Sequence, residues 1–185
     1  QGMNFVGAFL SFFCDSEEDL FVTFVCMMDH LGLAGFFVVG FPLLAKYRSA
    51  FLYLACALEP ALHNRFLALE FNYIAHAEKW FRTLLVTCFP SSSVSALWDI
   101  IICEGLHAML QILISVLHAL RKPLMSMPFQ DVQNIFAKPL TYLGGDTKLA
   151  PFKFGSVLDH IEAVSVPPYV IEYLQDVEAF DGYSQ

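Results

Sequence analysis

Charge is scarce in this sequence. Of 185 residues only 15% are Asp, Glu, Lys or Arg, and 10 basic residues stand against 18 acidic ones, for a net charge of −8. Such a chain has no basic stripe to track a phosphate backbone, which argues against a nucleic-acid partner. The negative balance also opposes simple electrostatic attraction to anionic lipid. Arginine occurs four times, at Arg48, Arg65, Arg82 and Arg121. The five cysteines, Cys14, Cys26, Cys56, Cys88 and Cys103, form no C-x-x-C pair and no metal spacing with histidine. All lie in apolar stretches, where buried, reduced thiols are expected. Also missing are a G-x-x-x-x-G-K-[ST] phosphate loop, a G-x-S-x-G nucleophile context, internal repeats and a secretory signal. No metal site and no cofactor of the chain's own are therefore expected, and no nucleotide bound by this chain alone.

A long uninterrupted apolar run is lacking too, although the composition is 57% hydrophobic with mean hydropathy +0.57. A membrane-spanning helix needs about 20 consecutive apolar residues. Leu31 to Ala45 is interrupted by Gly32, Gly35, Gly40 and Pro42, and Thr83 to Trp98 by Pro90 and three serines. Gly105 to Leu120 comes nearest but carries His107, Gln111, Ser115 and His118. The composition suits a helical domain whose helices are buried on several sides, or a half-domain that covers a partner half.

What is present is helical periodicity nearly throughout, with no alternating strand pattern of useful length. An apolar helix is read over 5–13. Asp15 and Ser16 form a cap, with Glu17, Glu18 and Asp19 in the first turn of a helix to about His30 that Gly32 ends. Its Leu20, Phe21, Phe24, Val25 and Met28 share helical spacing. Pro42 suits the start of a helix to about Leu58, and Pro60 the start of another with Leu62, Phe66 and Leu69 on one face. A helix over 74–88 carries Trp80, Leu84 and Thr87 on one side and stops at Pro90. Ser91 to Ser93 then cap a helix through Trp98 to about Cys103. Over 106–121, Leu106, Leu110, Leu113, Leu117 and Leu120 point inward, and His107 and His118 are read as packed among them. Pro123 and Pro128 break the chain, Gly144-Gly145 marks a loop, and short helices fit 129–137, 154–164 and 168–180. The stretch from about 165 to 185 reads as an acidic tail.

Short pieces in a fixed order carry more than periodicity: Gln1-Gly2-Met3-Asn4 before an apolar helix, the acidic Ser16-Glu17-Glu18-Asp19-Leu20-Phe21, Leu31-Gly32-Leu33 with Phe36-Phe37, Trp80-Phe81-x-Thr83-Leu84 with Phe89-Pro90 after it, Leu97-Trp98-Asp99 followed by Glu104-Gly105, and Phe129 to Phe136. Together they resemble the C-terminal part of a TBC domain, the all-helical activating module for Rab-type small GTPases, over nearly all of 1–185. Two departures stand out. Leu69-Glu70-Phe71 replaces a glycine-containing turn, and Ala96 stands where many members have arginine.

The resemblance implies an all-α, irregular multi-helix array. It also implies that Gln1 is a catalytic glutamine finger for a Rab in its GTP- and Mg-bound form, with Gly2, Met3 and Asn4 as supporting motif. Gly2 would permit close backbone approach, and Asn4 would bond locally and hold Gln1. The family's arginine finger, in an I-x-x-D-x-x-R motif, is expected upstream and is absent from this chain. The partners implied are the Rab and the N-terminal half of the same domain, with self-association through an uncovered apolar face left open. The location implied is cytoplasmic, peripheral at endomembranes through the Rab. The alternatives are a non-catalytic TBC-like binding module and an integral membrane protein. From the residues themselves, Trp80 and Trp98 read as core anchors on apolar helix patterns, and the resemblance implies structural positions at Phe81, Phe89 and Pro90 as well. Asp99 is expected to make a buried hydrogen bond, and Glu104 to organise the turn at Gly105.

Overall fold

The computed structural model describes residues 2–137 and 154–176, and these form ten α-helices and one short 3-10 turn, with no strand among the described residues. The helices are α1 (Met3–Leu10), α2 (Glu17–His30), α3 (Pro42–Leu58), α4 (Pro60–Ala68), α5 (Tyr73–Arg82), α6 (Ser91–Glu104), α7 (Ala108–Ser126), α8 (Phe129–Ala137), α9 (Phe154–Ile161) and α10 (Pro168–Gln175), with the 3-10 turn at Leu33–Phe36. The all-α expectation is what the structure shows. Gln1, Gly144-Gly145 and the tail after Asp176 lie outside the described residues.

Two helices organise the array. α7 packs against α3, α4, α6 and α9, while α3 also packs against α5 and α10. Eleven of the nineteen residues of α7 are buried, and all of Leu106, Leu110, Leu113, Leu117 and Leu120 are among the buried residues of the chain. Each such leucine is worth about 1.5 to 3 kcal/mol of burial. α7 is long and apolar enough by length and composition to cross a membrane. Its residues are spent on neighbouring helices instead, as in the central helix of a packed core. Pro123, read as a break, sits inside the last turns of α7. There the amide a proline lacks is near the helix end, and Met127 N–H still reaches the Pro123 carbonyl at 3.1 Å.

Aromatic side chains fill the space between α5 and its neighbours. Trp80 stacks on Phe136 of α8 with centroids 5.2 Å apart, and Phe81 meets Phe36, Tyr47 and Phe51.

Several boundaries differ from the pattern. The first helix ends at Leu10 rather than 13, its backbone tightening into i→i−3 bonds from Phe12 and Phe13. The helix read over 74–88 ends at Arg82. There Leu84 and Leu85 take left-handed backbone (φ 46° and 69°), with Leu84 N–H on the Phe81 carbonyl and Leu85 N–H on the Trp80 carbonyl. Those two bonds are a Schellman closure, made here without glycine. α4 closes the same way: Glu70 (φ 53°) stands at the glycine position, and Phe71 N–H bonds the Phe66 carbonyl at 2.9 Å. The departure at Leu69-Glu70-Phe71 thus keeps the turn and bears the strain.

Ser91 to Ser93 do not cap α6. Pro90 holds the cap position with extended backbone, and its carbonyl accepts from Ser93 and Val94. The Ser16 cap is as expected, its hydroxyl oxygen accepting from Asp19 N–H at 3.0 Å. Of the cysteines only Cys88 is buried; Cys26, Cys56 and Cys103 are exposed and Cys14 is half-buried, so the uniform buried-thiol expectation is corrected.

Candidate functional site

Gln1 lies outside the described residues, so the site is built from Gly2 onward. Gly2 caps α1 with φ 117°, a backbone that L side chains rarely adopt, and it is buried. A Cβ there would stand 2.8 Å from the Arg82 carbonyl oxygen. The close approach expected of Gly2 is therefore to the C-terminal end of α5. This is the structural reason for glycine: the motif is seated on the turn that follows Trp80-Phe81. Met3 and Asn4 are exposed beside it, and the bond expected between Asn4 and Gln1 involves a residue outside the described ones.

An open groove of about 840 Å³ runs along the motif, lined by Gly2, Met3 and Asn4 of α1 and by Glu17, Leu20 and Phe24 of α2 among others. Gly7 faces the Phe24 ring with room for a Cβ, which would meet it at an ordinary contact distance of 3.7 Å. The groove is mainly apolar, with one carboxylate, Glu17, at the first turn of α2.

Trp80, Phe81, Phe89 and Trp98 are buried, while Pro90 is exposed at the start of α6. Trp98 Nε1 donates to the Leu84 carbonyl at 2.8 Å, so the left-handed turn after α5 is pinned by the indole of α6. Phe9 of α1 packs edge-on against the same indole at 4.7 Å. The motif, the α5 turn and Trp98 are thus one connected support.

Asp99 and Glu104 correct the expectation. Both are exposed, so Asp99 makes no buried bond, and the turn after α6 is made by Gly105 itself (φ 98°), whose N–H bonds the Ile101 carbonyl. Glu104 and Gly105 line a separate cleft of about 670 Å³ that shares no residue with the motif groove. Among the described residues no group of His, Cys, Asp and Glu is arranged to hold a metal. Burial pushes the Cys88 thiol up to about 11, which leaves it protonated and unsuited to nucleophilic work.

Three arginines are engaged elsewhere. Arg48 pairs with Glu78 at 3.0 Å, Arg65 donates to the Met127 carbonyl at 3.1 Å, and Arg121 faces Glu59 at 3.7 Å. The fourth, Arg82, lies under Gly2. Sequence reasoning missed this contact because it joins residues 80 apart, and only the adjacency of Arg82 to Trp80-Phe81 hinted at it. His118, read as packed among leucines, is instead half-exposed and bonded to Glu59.

Comparison with known proteins agrees with this frame. The chain is 28% identical over 140 residues to the GTPase-activating protein GYP5 of Saccharomyces cerevisiae, covering 76% of this chain and 16% of that protein. It is 32% identical over 111 residues to GYP5 of Eremothecium gossypii (60% and 13%). It is 27% identical over 138 residues to the ecotropic viral integration site 5 protein of Mus musculus (72% and 17%). The chain spans less than a fifth of the length of these relatives. The Rab-GTPase-TBC domain model matches residues 1–125, and the chain belongs to that family.

Proposed function

We propose that this chain is the C-terminal portion of a GTPase-activating protein for Rab-type small GTPases, and that Gln1 acts as its glutamine finger. The partner is a Rab with GTP and Mg²⁺ bound, met in the cytoplasm at the surface of an endomembrane. GTP hydrolysis in small GTPases is slow because the attacking water is poorly placed and charge on the transferring phosphoryl group is poorly met. A glutamine amide serves the water: its carbonyl accepts from the water while its NH₂ reaches a γ-phosphate oxygen. An arginine supplied in trans serves the charge and is worth roughly 10³ to 10⁵ in rate, about 4 to 7 kcal/mol. In this reading the arginine comes from residues upstream of Gln1, in the other half of the domain.

The observation that carries the reading is Gly2. Its positive-φ backbone and its close approach to the Arg82 carbonyl seat the start of α1 on the turn after α5, which supports reading the motif as a built feature. The exposed apolar groove beside it supplies a surface on which a protein partner can close.

The test is single-turnover GTP hydrolysis across a panel of Rabs, with the residues upstream of Gln1 included. Acceleration of one Rab is expected. Gln1→Ala should lower that rate by about 10²-fold or more, the order of effect of removing one preorganised hydrogen-bonding group, with unchanged thermal unfolding. Full activity in Gln1→Ala would remove the finger role.

A second reading is a TBC-like module that binds a Rab or another protein without accelerating hydrolysis. It is favoured by the engagement of Arg48, Arg65 and Arg121 within the fold. Binding to a GTP-loaded Rab with no acceleration in the same assay would select it.

A further inference from the structure

Glu59 is the one charged side chain buried among the described residues, at 3% exposure. It stands between α3 and α4 at the cap position of α4. Its Oε1 and His118 Nδ1 on α7 are 2.6 Å apart, a short bond of the charge-assisted kind. Its Oε2 faces Arg121 Nε at 3.7 Å, beyond hydrogen-bond length. A carboxylate taken out of water depends on such partners, and removal of one leaves a charge uncompensated. On the other side of His118 lies His160 of α9, its ring nearly parallel (16°) with centroids 3.8 Å apart. A line of three side chains therefore runs from a buried carboxylate outward to α9.

α9 lies beyond residues 1–125, the part matched by the family. It is held to α7 by this stack, by the buried Val157, Ile161 and Val164, and by Gln111 Nε2, which donates to the Val164 carbonyl at 3.0 Å. The apolar contacts do not respond to pH; the imidazole of His160 does.

We propose that the His118–His160 stack is a pH-sensitive latch, closing α9 on α7 while His160 is neutral and opening when His160 takes a proton. Among the described residues the groups around it are His118 and Arg121 from α7 and Glu59 from the α3–α4 junction, while Asp159 on α9 and Glu162 just after it are exposed. Glu59 Oε1 is taken by His118 and Arg121 stands on the same side, so a proton placed on His160 faces the α7 side with only Glu59, beyond the His118 ring, to offset it among the described residues of α7 and the α3–α4 junction. Desolvation and then His118 hold His160 below the usual imidazole value, against a weaker opposite pull from Glu59. The sign follows. The closed form binds fewer protons than the open one, so closure is at full strength above the usual value near 6.5 and weakens as pH falls below it.

The experiment is amide hydrogen exchange on the full chain from pH 7.5 to 5.5, corrected for intrinsic rates, with the buried amides of α7 as internal reference. Protection over 157–164 should fall by up to about tenfold per pH unit below 6.5 while that of α7 is retained. His160→Phe keeps a flat ring on His118 and removes the proton, so its α9 protection should be independent of pH; His160→Gln is the second variant if the first folds poorly. Wild-type protection over 157–164 that stays level across this range overturns the latch. So does an equal fall in the His160 variants.

Discussion

α7 and α2 are built from similar residues and end in opposite circumstances. α7 spends its leucines and isoleucines on four neighbouring helices, and eleven of its nineteen residues are buried. α2 buries only Met27 and Met28, leaving Phe21 at 68% and Val22 at 59% exposure. Phe12 and Phe13 on the approach to α2 are exposed as well, touching only the edge of Phe9 among the aromatic rings. The high hydropathy of the chain thus includes both a saturated interior and apolar side chains left at the surface, those of α2 beside the Gly2 motif among them. Periodicity sees a face in both helices and does not say whether anything covers it.

The largest effect is expected where the interior is cut. Leu113 is fully buried on α7. Leu113→Ala should cost about 3 to 5 kcal/mol, transfer energy plus cavity, and lower the unfolding midpoint in denaturant without changing its slope. A loss under about 1 kcal/mol would mean that α7 is not the centre of the core.

The same contrast recurs at single-residue scale in the two glycine-free Schellman turns. Leu84 and Glu70 have nearly the same backbone (φ 46° and 53°), but Leu84 is buried and Glu70 exposed. Glycine relieves the left-handed strain at either site. At Leu84 it also deletes a packed side chain, for an expected net loss of about 2 kcal/mol. At Glu70 nothing packed is lost, so Glu70→Gly should gain about 0.5 to 1 kcal/mol, or about 1 to 4 °C in Tm. Opposite signs in thermal melts of the two variants sharpen the comparison; equal signs would break it.

These turns also show what was legible in the sequence. The helices bounded by proline or glycine were readable: Pro42 to Leu58 and 129–137 are found as expected, and Gly32 follows the end of α2. The end of α5 was not, because Leu84 and Leu85 continue the apolar spacing while their backbone leaves the helix. Covered and uncovered faces of α2 were not distinguishable either, since Phe21 and Val25 obey the same spacing as Phe24 and Met28. Of the candidate site, the motif and its family were legible from order and spacing. Its seat was not, because Gly2 meets Arg82 across the fold, just as Glu59 meets His118 across 59 residues.

The smallest effect on stability belongs to the edge. Phe21 lines the motif groove yet is 68% exposed, so little transfer energy is at stake in the isolated chain. Phe21→Ser should leave Tm within the range of about 0.5 kcal/mol typical of surface substitutions. Its consequence should appear in association instead. An exposed phenyl ring at the motif groove favours contact between copies at high concentration, whereas the net charge of −8 opposes it. Sedimentation of the chain as a function of concentration and salt separates the two influences. Association strengthened by salt and weakened by Phe21→Ser would assign the contact to this edge, because screening removes the repulsion and leaves the apolar gain. A Tm drop matching that of a buried aromatic would show that Phe21 is covered, and the division between interior and edge would have to be redrawn on α2.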